Sequence, residues 1–191
     1  MKYWISGTGG ENGGAPLPSI CLYDTEAFPQ NRWESQVPGP TWLDTWEDKL
    51  LAVGEMDESG CVYLFRREGD ACTLLDTRAI EGSAFCHLTI LPKHRVVAGA
   101  CYGTGHVFTL KIGENGFGEM KSWIRQSDEP VSRAHCIITD RAETTAYVAN
   151  IALDRLYLYD IAPDGSLTKE RFLQLPKGEG IRHLLLSEEA Q

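Results

Sequence analysis

Apolar residues along this chain come in short runs, and most runs are bounded by Gly, Asp or Asn. The runs are rich in Val, Ile, Tyr, Phe and Trp, a composition that favours β-strands. In residues 155–161 (RLYLYDI) Leu alternates with Tyr, which is the period-2 pattern of a strand. Only residues 42–51 (WLDTWEDKLL) and 187–191 (SEEAQ) resemble helix, and both are too short to form a stable one. The pattern therefore predicts an all-β protein.

A pair of strands recurs along the chain at a nearly constant period. Corresponding positions in the four pairs are Gly7, Gly54, Gly99 and Asn150, which gives steps of 47, 45 and 51 residues. Each pair is followed by a further candidate strand, and the last three pairs are also preceded by one. Four antiparallel strands that repeat about every 45 residues are typical of a β-propeller blade. We expect one propeller domain, with blades at residues 1–38, 39–82, 83–128 and 129–177 and a single further strand at 181–188.

The first and last units of this repeat are incomplete. The first unit begins directly at its second strand, whereas residues 181–188 supply only a leading strand. A blade is unstable alone because it buries both faces against its neighbours in a ring. Three arrangements fit this pattern. Strand 181–188 completes the first blade and closes a four-bladed ring, or the chain is the N-terminal half of a longer propeller whose fifth blade begins with this strand, or two chains join their half-rings as a homodimer.

The charge of the chain excludes several classes of function. It carries 18 Lys and Arg against 27 Asp and Glu, a net charge of −9, and it has no dense basic run. Binding to nucleic acids or membrane surfaces needs a basic face, so we expect neither partner. The apolar runs are far shorter than the roughly 20 residues that span a bilayer, and the N-terminus lacks a signal-peptide pattern. These features predict a cytoplasmic protein.

Cysteine and tryptophan are both expected to serve packing. The six cysteines lie mostly within apolar runs, and no two have Cys-x-x-Cys spacing. We therefore expect buried, reduced thiols and no metal site. Trp33, Trp42 and Trp46 are expected to pack between the first two blades, although aromatic clusters can also stack against sugars.

Candidate chemistry comes from side chains that are one repeat apart. His135 and Arg182 are separated by 47 residues, and His87 lies 48 residues before His135. The leading strand of a propeller blade lines the central channel, so we expect these side chains to converge at its mouth. A neutral His can act as a general base, and an Arg can bind an anion or a developing oxyanion. Arg133 and His183 are expected to line the same pocket.

Glu55 is a further candidate for this pocket, because it ends a second strand and can face the channel. A strongly acidic protein that binds an anionic substrate needs a local cluster of cationic side chains. The residues named above therefore predict a small anionic molecule as the ligand. No cofactor motif is present in the sequence, and we expect none to be needed.

The last third of the chain resembles the bacterial lactonase family of seven-bladed propellers. The resemblance is carried by residues 133–168 (RAHCIITDRAETTAYVANIALDRLYLYDIAPDGSLT) and 180–187 (GIRHLLLS). This family includes 6-phosphogluconolactonase-type enzymes, and fungal carboxy-muconate lactonizing enzymes are similar. Its members are close to twice as long as this chain. The resemblance therefore implies the N-terminal half of such a propeller, about four blades.

The family resemblance also implies an activity and a set of site residues. It implies hydrolysis of a sugar lactone such as 6-phosphogluconolactone, with His135 and Arg182 as catalytic residues. His87, Arg133, His183 and Glu55 are the candidates for substrate binding. An acidic residue and a later Arg of the family site would fall beyond residue 191. Two alternatives stay open, a non-catalytic binding or assembly module and a lactonizing isomerase.

The sequence also departs from the family pattern in two places. Arg133 stands where relatives usually have a His, and Ile181 stands where they have a Pro. Both positions lie next to the residues that would carry out catalysis.

Overall fold

A computed structural model of the chain describes residues 1–7, 11–12, 15–16, 19–27, 30–56 and 59–187. All regular elements in this part of the chain are β-strands, so the all-β prediction is confirmed. The strands of the first sheet and of a short hairpin are β1 (Lys2–Ser6), β2 (Glu11–Asn12), β3 (Ala15–Pro16), β4 (Ile20–Asp24) and β5 (Asn31–Ser35). The next sheet contains β6 (Pro40–Trp46), β7 (Lys49–Glu55), β8 (Gly60–Glu68) and β9 (Ala71–Ile80). The remaining strands are β10 (Phe85–Leu91), β11 (Val96–Cys101), β12 (His106–Ile112), β13 (Phe117–Arg125), β14 (Ala134–Thr139), β15 (Thr145–Asn150), β16 (Arg155–Ile161) and β17 (Leu167–Gln174).

Three four-stranded antiparallel sheets follow one another as propeller blades. Their strands pair in chain order, β6 to β9 in blade 2, β10 to β13 in blade 3 and β14 to β17 in blade 4. The leading strands β6, β10 and β14 contact one another between blades. This arrangement confirms a partial propeller with its leading strands at the centre.

Blade 1 has three strands, in the order β1, β4 and β5, and β2 and β3 form a separate two-stranded hairpin. Within the described residues β1 pairs only with β4, and Tyr3 and Ile5 are 47% and 53% exposed. Closure of a four-bladed ring would have placed residues 181–188 beside β1. That arrangement is not formed, because the uncovered side of β1 carries no partner strand in this part of the structure.

Residues 181–187 have no strand assignment, so the expectation of a strand there is wrong for these residues. The physical reason lies in how strands pair within a blade. Each leading strand forms its ladder with the second strand of its own blade, as β14 does with β15. No described strand follows residues 181–187, so they have no ladder partner. Residue 188, the last of the expected strand, lies outside the described residues.

The core consists of three apolar layers between consecutive blades. One layer lies between blades 1 and 2, one between blades 2 and 3, and one between blades 3 and 4. The sheets of blades 2 and 3 thus contribute alternate side chains to two neighbouring layers, and those of blades 1 and 4 contribute to one layer each. All six cysteines are buried and carry free thiols, as predicted. Within the described residues there is no helix that could cross a bilayer.

Candidate functional site

A β-bulge near the start of each leading strand defines equivalent positions in blades 2, 3 and 4. The register of pairing shifts between Pro40 and Trp42, and likewise at the two corresponding points of β10 and β14. The bulged residues are therefore Thr41, Cys86 and His135. An extra residue at a bulge re-aims the side chains around it.

This register corrects one expectation about the ring of side chains. Counting residues made His87 equivalent to His135, but the residue that matches His135 in blade 3 is Cys86. His87 pairs with Ala100 directly after the bulge, as Cys136 pairs with Ala149. Its counterparts are Trp42 and Cys136, because the steps between blades are 45 and 49 residues rather than a constant number.

The bulged residues form contacts from each blade to the next. Thr41 Oγ1 donates to the Phe85 carbonyl at 3.5 Å, and the Cys86 thiol donates to the His135 carbonyl at 3.3 Å. His135 in turn hydrogen-bonds to the backbone of Arg182. The series therefore reaches Arg182, which brings the two residues predicted to be catalytic next to each other.

His135 is a buried histidine with an unused ring nitrogen. It is 5% exposed, and its Nδ1 has no hydrogen-bond partner among the described residues. Burial, with the positive charge of Arg182 and the neighbouring His183, lowers the pKa of His135 to about 4. The imidazole is therefore neutral at pH 7. A buried nitrogen without a partner is costly, so water or a ligand at this point would be stabilising.

Residues 182–184 lie beside β14, because Arg182 and His183 contact His135 and the Leu184 backbone contacts Cys136. The His183 ring is 5.0 Å from the His135 ring, in an edge-to-face arrangement, and 6.4 Å from the Trp42 ring. Arg182 and His183 are both exposed. The His183 ring therefore packs against the buried histidine, and both Arg182 and His183 remain accessible from solvent.

Arg133 precedes β14 and is partly occupied by local contacts. Its guanidinium donates to the carbonyl of Gly103 and lies 5.3 Å from the centre of the Tyr102 ring. The same Tyr102 ring meets His135 edge-on at 6.1 Å. Arg133 is thus held near His135 through a shared aromatic neighbour.

His87 bridges blades 3 and 4. Its Nδ1 accepts the Ile137 N–H at 3.4 Å, and its Nε2 lies 3.6 Å from the thiol of Cys136. Because Nδ1 accepts a backbone hydrogen, the ring is neutral, with its proton on Nε2. Burial, followed by His183 and His135, lowers the pKa of His87 to about 4. These contacts describe a packing role, and substrate binding by His87 stays a prediction.

Glu55 ends β7 as an exposed side chain on the same side of the ring. The charges of Glu55 and Arg182 both act on the thiol of Cys86. Burial, followed by the negative charge of Glu55, raises the pKa of Cys86 to about 12, and the positive charge of Arg182 opposes this shift. Both charges therefore act on the same buried thiol, and the structure brings Glu55 towards the predicted catalytic pair.

A cleft of about 420 Å³ lies at the centre of the leading strands. Trp42, Asp44, His87 and His183 are among its lining residues. Asp44 accepts the Ile90 N–H at 3.0 Å, and burial raises the pKa of its carboxyl group. Asp44 and His87 thus each accept a backbone N–H from the leading strand of the following blade.

The comparison with protein families decides the identity of this fold. Residues 11–191 match the family model described as "Lactonase, 7-bladed beta-propeller". The chain belongs to the lactonase family. The resemblance seen in the sequence is thereby confirmed. No curated protein gave a match.

Solved structures show how much of a lactonase-family propeller this chain represents. A putative 6-phosphogluconolactonase from Bacteroides fragilis has a TM-score of 0.81 at 18% identity, over 98% of this chain and 58% of its own. The periplasmic gluconolactonase of Pseudomonas aeruginosa has a TM-score of 0.83 at 17% identity, over 100% and 60%. A protein from Lactobacillus plantarum has a TM-score of 0.79 at 22% identity, over 100% and 58%. The chain thus spans about three fifths of the length of these structures, and at these identities the likeness concerns the fold.

Sequence reasoning missed one clear member of the site of this lactonase-family chain. The three tryptophans expected to cluster are separated. Trp33 packs between blades 1 and 2 against Trp4 at 5.7 Å, and Trp46 lies beneath Arg95. Trp42 instead is 37% exposed in the cleft, with its ring 4.1 Å from His87. The sequence signal that could have found it is its spacing, since Trp42 precedes His87 by 45 residues, the same step as from Gly54 to Gly99. A group of three or more His, Cys, Asp or Glu side chains placed to hold a metal ion is absent from the described residues.

Proposed function

We propose that this chain supplies the channel-mouth site of a lactonase that hydrolyses an anionic sugar lactone of the 6-phosphogluconolactone type. The observation that carries the proposal is the buried, neutral His135, whose Nδ1 has no partner within the part of the chain that the structure describes, directly beside Arg182. Membership of the lactonase family supports the same reaction class. His135 and Arg182 are the proposed catalytic residues.

In the proposed reaction His135 acts as a general base. Its neutral imidazole accepts a proton from a water molecule as that water attacks the lactone carbonyl carbon. The carbonyl oxygen becomes an oxyanion, which the guanidinium of Arg182 stabilises. The intermediate then collapses, the ring C–O ester bond breaks, and the leaving alkoxide takes the proton from His135. The product is the open-chain hydroxy acid.

Substrate binding would strengthen His135 as a base. The positive charge of Arg182 is one of the causes that lower the pKa of His135. An anionic substrate group paired with Arg182 neutralises that charge and removes part of the repulsion against the imidazolium. The pKa of His135 then moves upward, towards the range in which a general base works best at neutral pH.

Arg133 and His183 are proposed to bind the anionic part of the substrate. Both lie around His135, through Tyr102 and through direct ring contact respectively. They provide local positive or polar groups in a protein whose net charge is −9. His87 and Glu55 are proposed to complete the pocket wall, His87 through the neighbouring cleft and Glu55 near Arg182.

A second candidate function is anion binding without turnover. The observation that favours it is the pKa of about 4 for His135, which makes the free histidine a weak base. Under this proposal Arg182, Arg133 and His183 bind an anion, but no acceleration of lactone hydrolysis follows.

The test measures hydrolysis of 6-phosphogluconolactone above its spontaneous rate, in the wild type and in folded variants. We expect His135→Ala to lower kcat by about 10²- to 10⁴-fold and Arg182→Ala to lower kcat/KM by about 10²- to 10³-fold. His106→Gln and Arg141→Ala are the matched controls. His106 stacks on Trp123 and Arg141 is exposed in the β14–β15 turn, and both should keep wild-type activity. Full activity in folded His135→Ala would overturn the catalytic proposal, and phosphate binding without turnover in the wild type would favour the second candidate.

A further inference from the structure

The loop that leads to Arg182 is held by one carboxylate. Asp154 lies in the turn between β15 and β16, and its Oδ2 accepts the Gly178 N–H at 2.7 Å. Its Oδ1 accepts the Gly180 N–H at 2.6 Å. Gly180 is only two residues before Arg182, so this pair of hydrogen bonds fixes the point at which the chain returns to the channel.

The backbone on both sides of this contact is shaped for it. Gly178 and Gly180 have φ values of 89° and 59°, and a Cβ at either position would meet nothing within 4 Å. The glycines are therefore suited to their backbone conformation rather than required by crowding. Asp154 itself has a φ of 50°, a conformation that costs energy for most residues but that Asp and Asn tolerate.

Among the described residues, blade 3 has no carboxylate at the corresponding position. Gly105 occupies the position of Asp154 there, with a φ of 70°. The Gly105 carbonyl accepts the Gln126 N–H at 3.1 Å, as the Asp154 carbonyl accepts the Leu175 N–H at 2.8 Å. A Cβ at Gly105 would lie 2.4 Å from Ser132 Oγ, so the loop in blade 3 packs directly against the turn. In blade 4 the Asp154 carboxylate instead joins the turn to the loop through two hydrogen bonds.

The charge of Asp154 matters to these bonds. Acceptance of the Gly178 and Gly180 N–H groups, in that order, lowers the pKa of this carboxyl group. A carboxylate can accept both hydrogens at once, whereas an amide at the same place would present one donor NH₂ group to a backbone N–H. Replacement by Asn therefore keeps the shape and the backbone preference but loses one of the two bonds.

We propose that Asp154 is a positioning residue for Arg182 and His183, and that its ionised carboxylate sets where both side chains enter the channel mouth. This inference rests on the proposed function for its effect on catalysis, but its structural part can be measured without any activity. The consequence is that a residue of the β15–β16 turn, beside the strand β16 and not on the leading strand of His135, controls the approach of the anion-binding groups to it.

The experiment compares Asp154→Asn and Asp154→Gly with Asp140→Asn. Asp140 is a matched control, because its carboxylate also accepts two backbone N–H groups, those of Thr144 and Thr145, in blade 4. It lies in the β14–β15 turn, away from the loop that carries Arg182. Asn and Gly both tolerate a positive φ, so neither Asp154 variant adds backbone strain, and Asp154→Asn decides the test if Asp154→Gly does not fold.

The first readout is the nuclear Overhauser effect between the rings of His135 and His183, whose centres are 5.0 Å apart. We expect it to be lost in both Asp154 variants and kept in Asp140→Asn. The second readout is KM for 6-phosphogluconolactone, which should rise by about tenfold in Asp154→Asn with a smaller change in kcat. Folded Asp154 variants that keep the ring contact would overturn the positioning role. Loss of the contact in a protein without any lactonase activity would support it while overturning the proposed function.

Discussion

Blade 3 and blade 4 have the same topology but different surroundings. Blade 3 is covered on both faces, so every residue of β11 is buried. In blade 4, the corresponding strand β15 has partly exposed residues at Thr145 and Tyr147. In β16, Tyr157 and Tyr159 face blade 3 and are buried, whereas Leu156 and Leu158 are only half-buried. The repeat thus builds both faces as apolar, and the neighbours of a blade decide which face contributes to stability.

The same difference extends to the candidate site. His87 and Cys86 belong to the covered blade 3, and their polar atoms are used in contacts to blade 4. His135 lies at the last leading strand, where the described residues leave its Nδ1 unpartnered. Stability is therefore concentrated at the inner blade boundaries, while among the described residues of the leading strands the buried side-chain nitrogen without a partner, His135 Nδ1, belongs to blade 4.

The largest expected effect compares how much a leucine on a covered face and a leucine on an open face contribute to the free energy of unfolding. Leu110 is fully buried between blades 2 and 3, whereas Leu158 lies on the open face of blade 4. We expect Leu110→Ala to lower the free energy of unfolding by about 2–5 kcal/mol, because it leaves a cavity in a closely packed layer. Leu158→Ala should cost less than about 1 kcal/mol. Urea unfolding measures both, and equal losses would contradict the comparison.

Acid should weaken the boundary between blades 3 and 4. The folded-state pKa of His87 is about 4, below its value of 6.5 in a model peptide, so the unfolded chain binds the proton more readily between these values. Stability from this group is complete above pH 6.5 and falls as the pH drops towards 4. Between pH 7 and pH 5 the loss is about 2 kcal/mol.

His87→Asn isolates this contribution. Asn keeps an acceptor for the Ile137 N–H but has no proton to gain in this range. The free energy of unfolding of the variant should therefore fall by about 2 kcal/mol less than that of the wild type between pH 7 and pH 5. Parallel pH profiles of the two proteins would show that His87 is not the group that titrates.

The sequence predicted the architecture because strand composition and the period of the repeat are local properties. The positions around the ring were predicted less well. Bulges at Thr41, Cys86 and His135 and unequal steps between blades shift the equivalence by one residue, which no constant period reveals. The hydrogen bonds from the loop to Asp154 could not be predicted from the sequence for another reason. They join residues 24 and 26 positions apart through backbone N–H groups, which leave no mark in a side-chain pattern.

The smallest effect on stability is expected at the open face of blade 1, and it separates folding from association. Ile5 is 53% exposed beside Tyr3, at a surface cleft of about 370 Å³. Because Ile5 is not part of a covered layer, Ile5→Lys should change the free energy of unfolding by no more than about 0.5 kcal/mol.

Apolar faces of this kind promote association, so the 191-residue chain should show a concentration-dependent mass by sedimentation, and Ile5→Lys should reduce this concentration dependence. Leu74→Lys is the control, because Leu74 is 45% exposed on the outer strand β9 and belongs to neither open face. If both variants reduce association equally, general surface charge and not the uncovered face of blade 1 controls it, and the contrast between inner and outer blades then holds for stability alone.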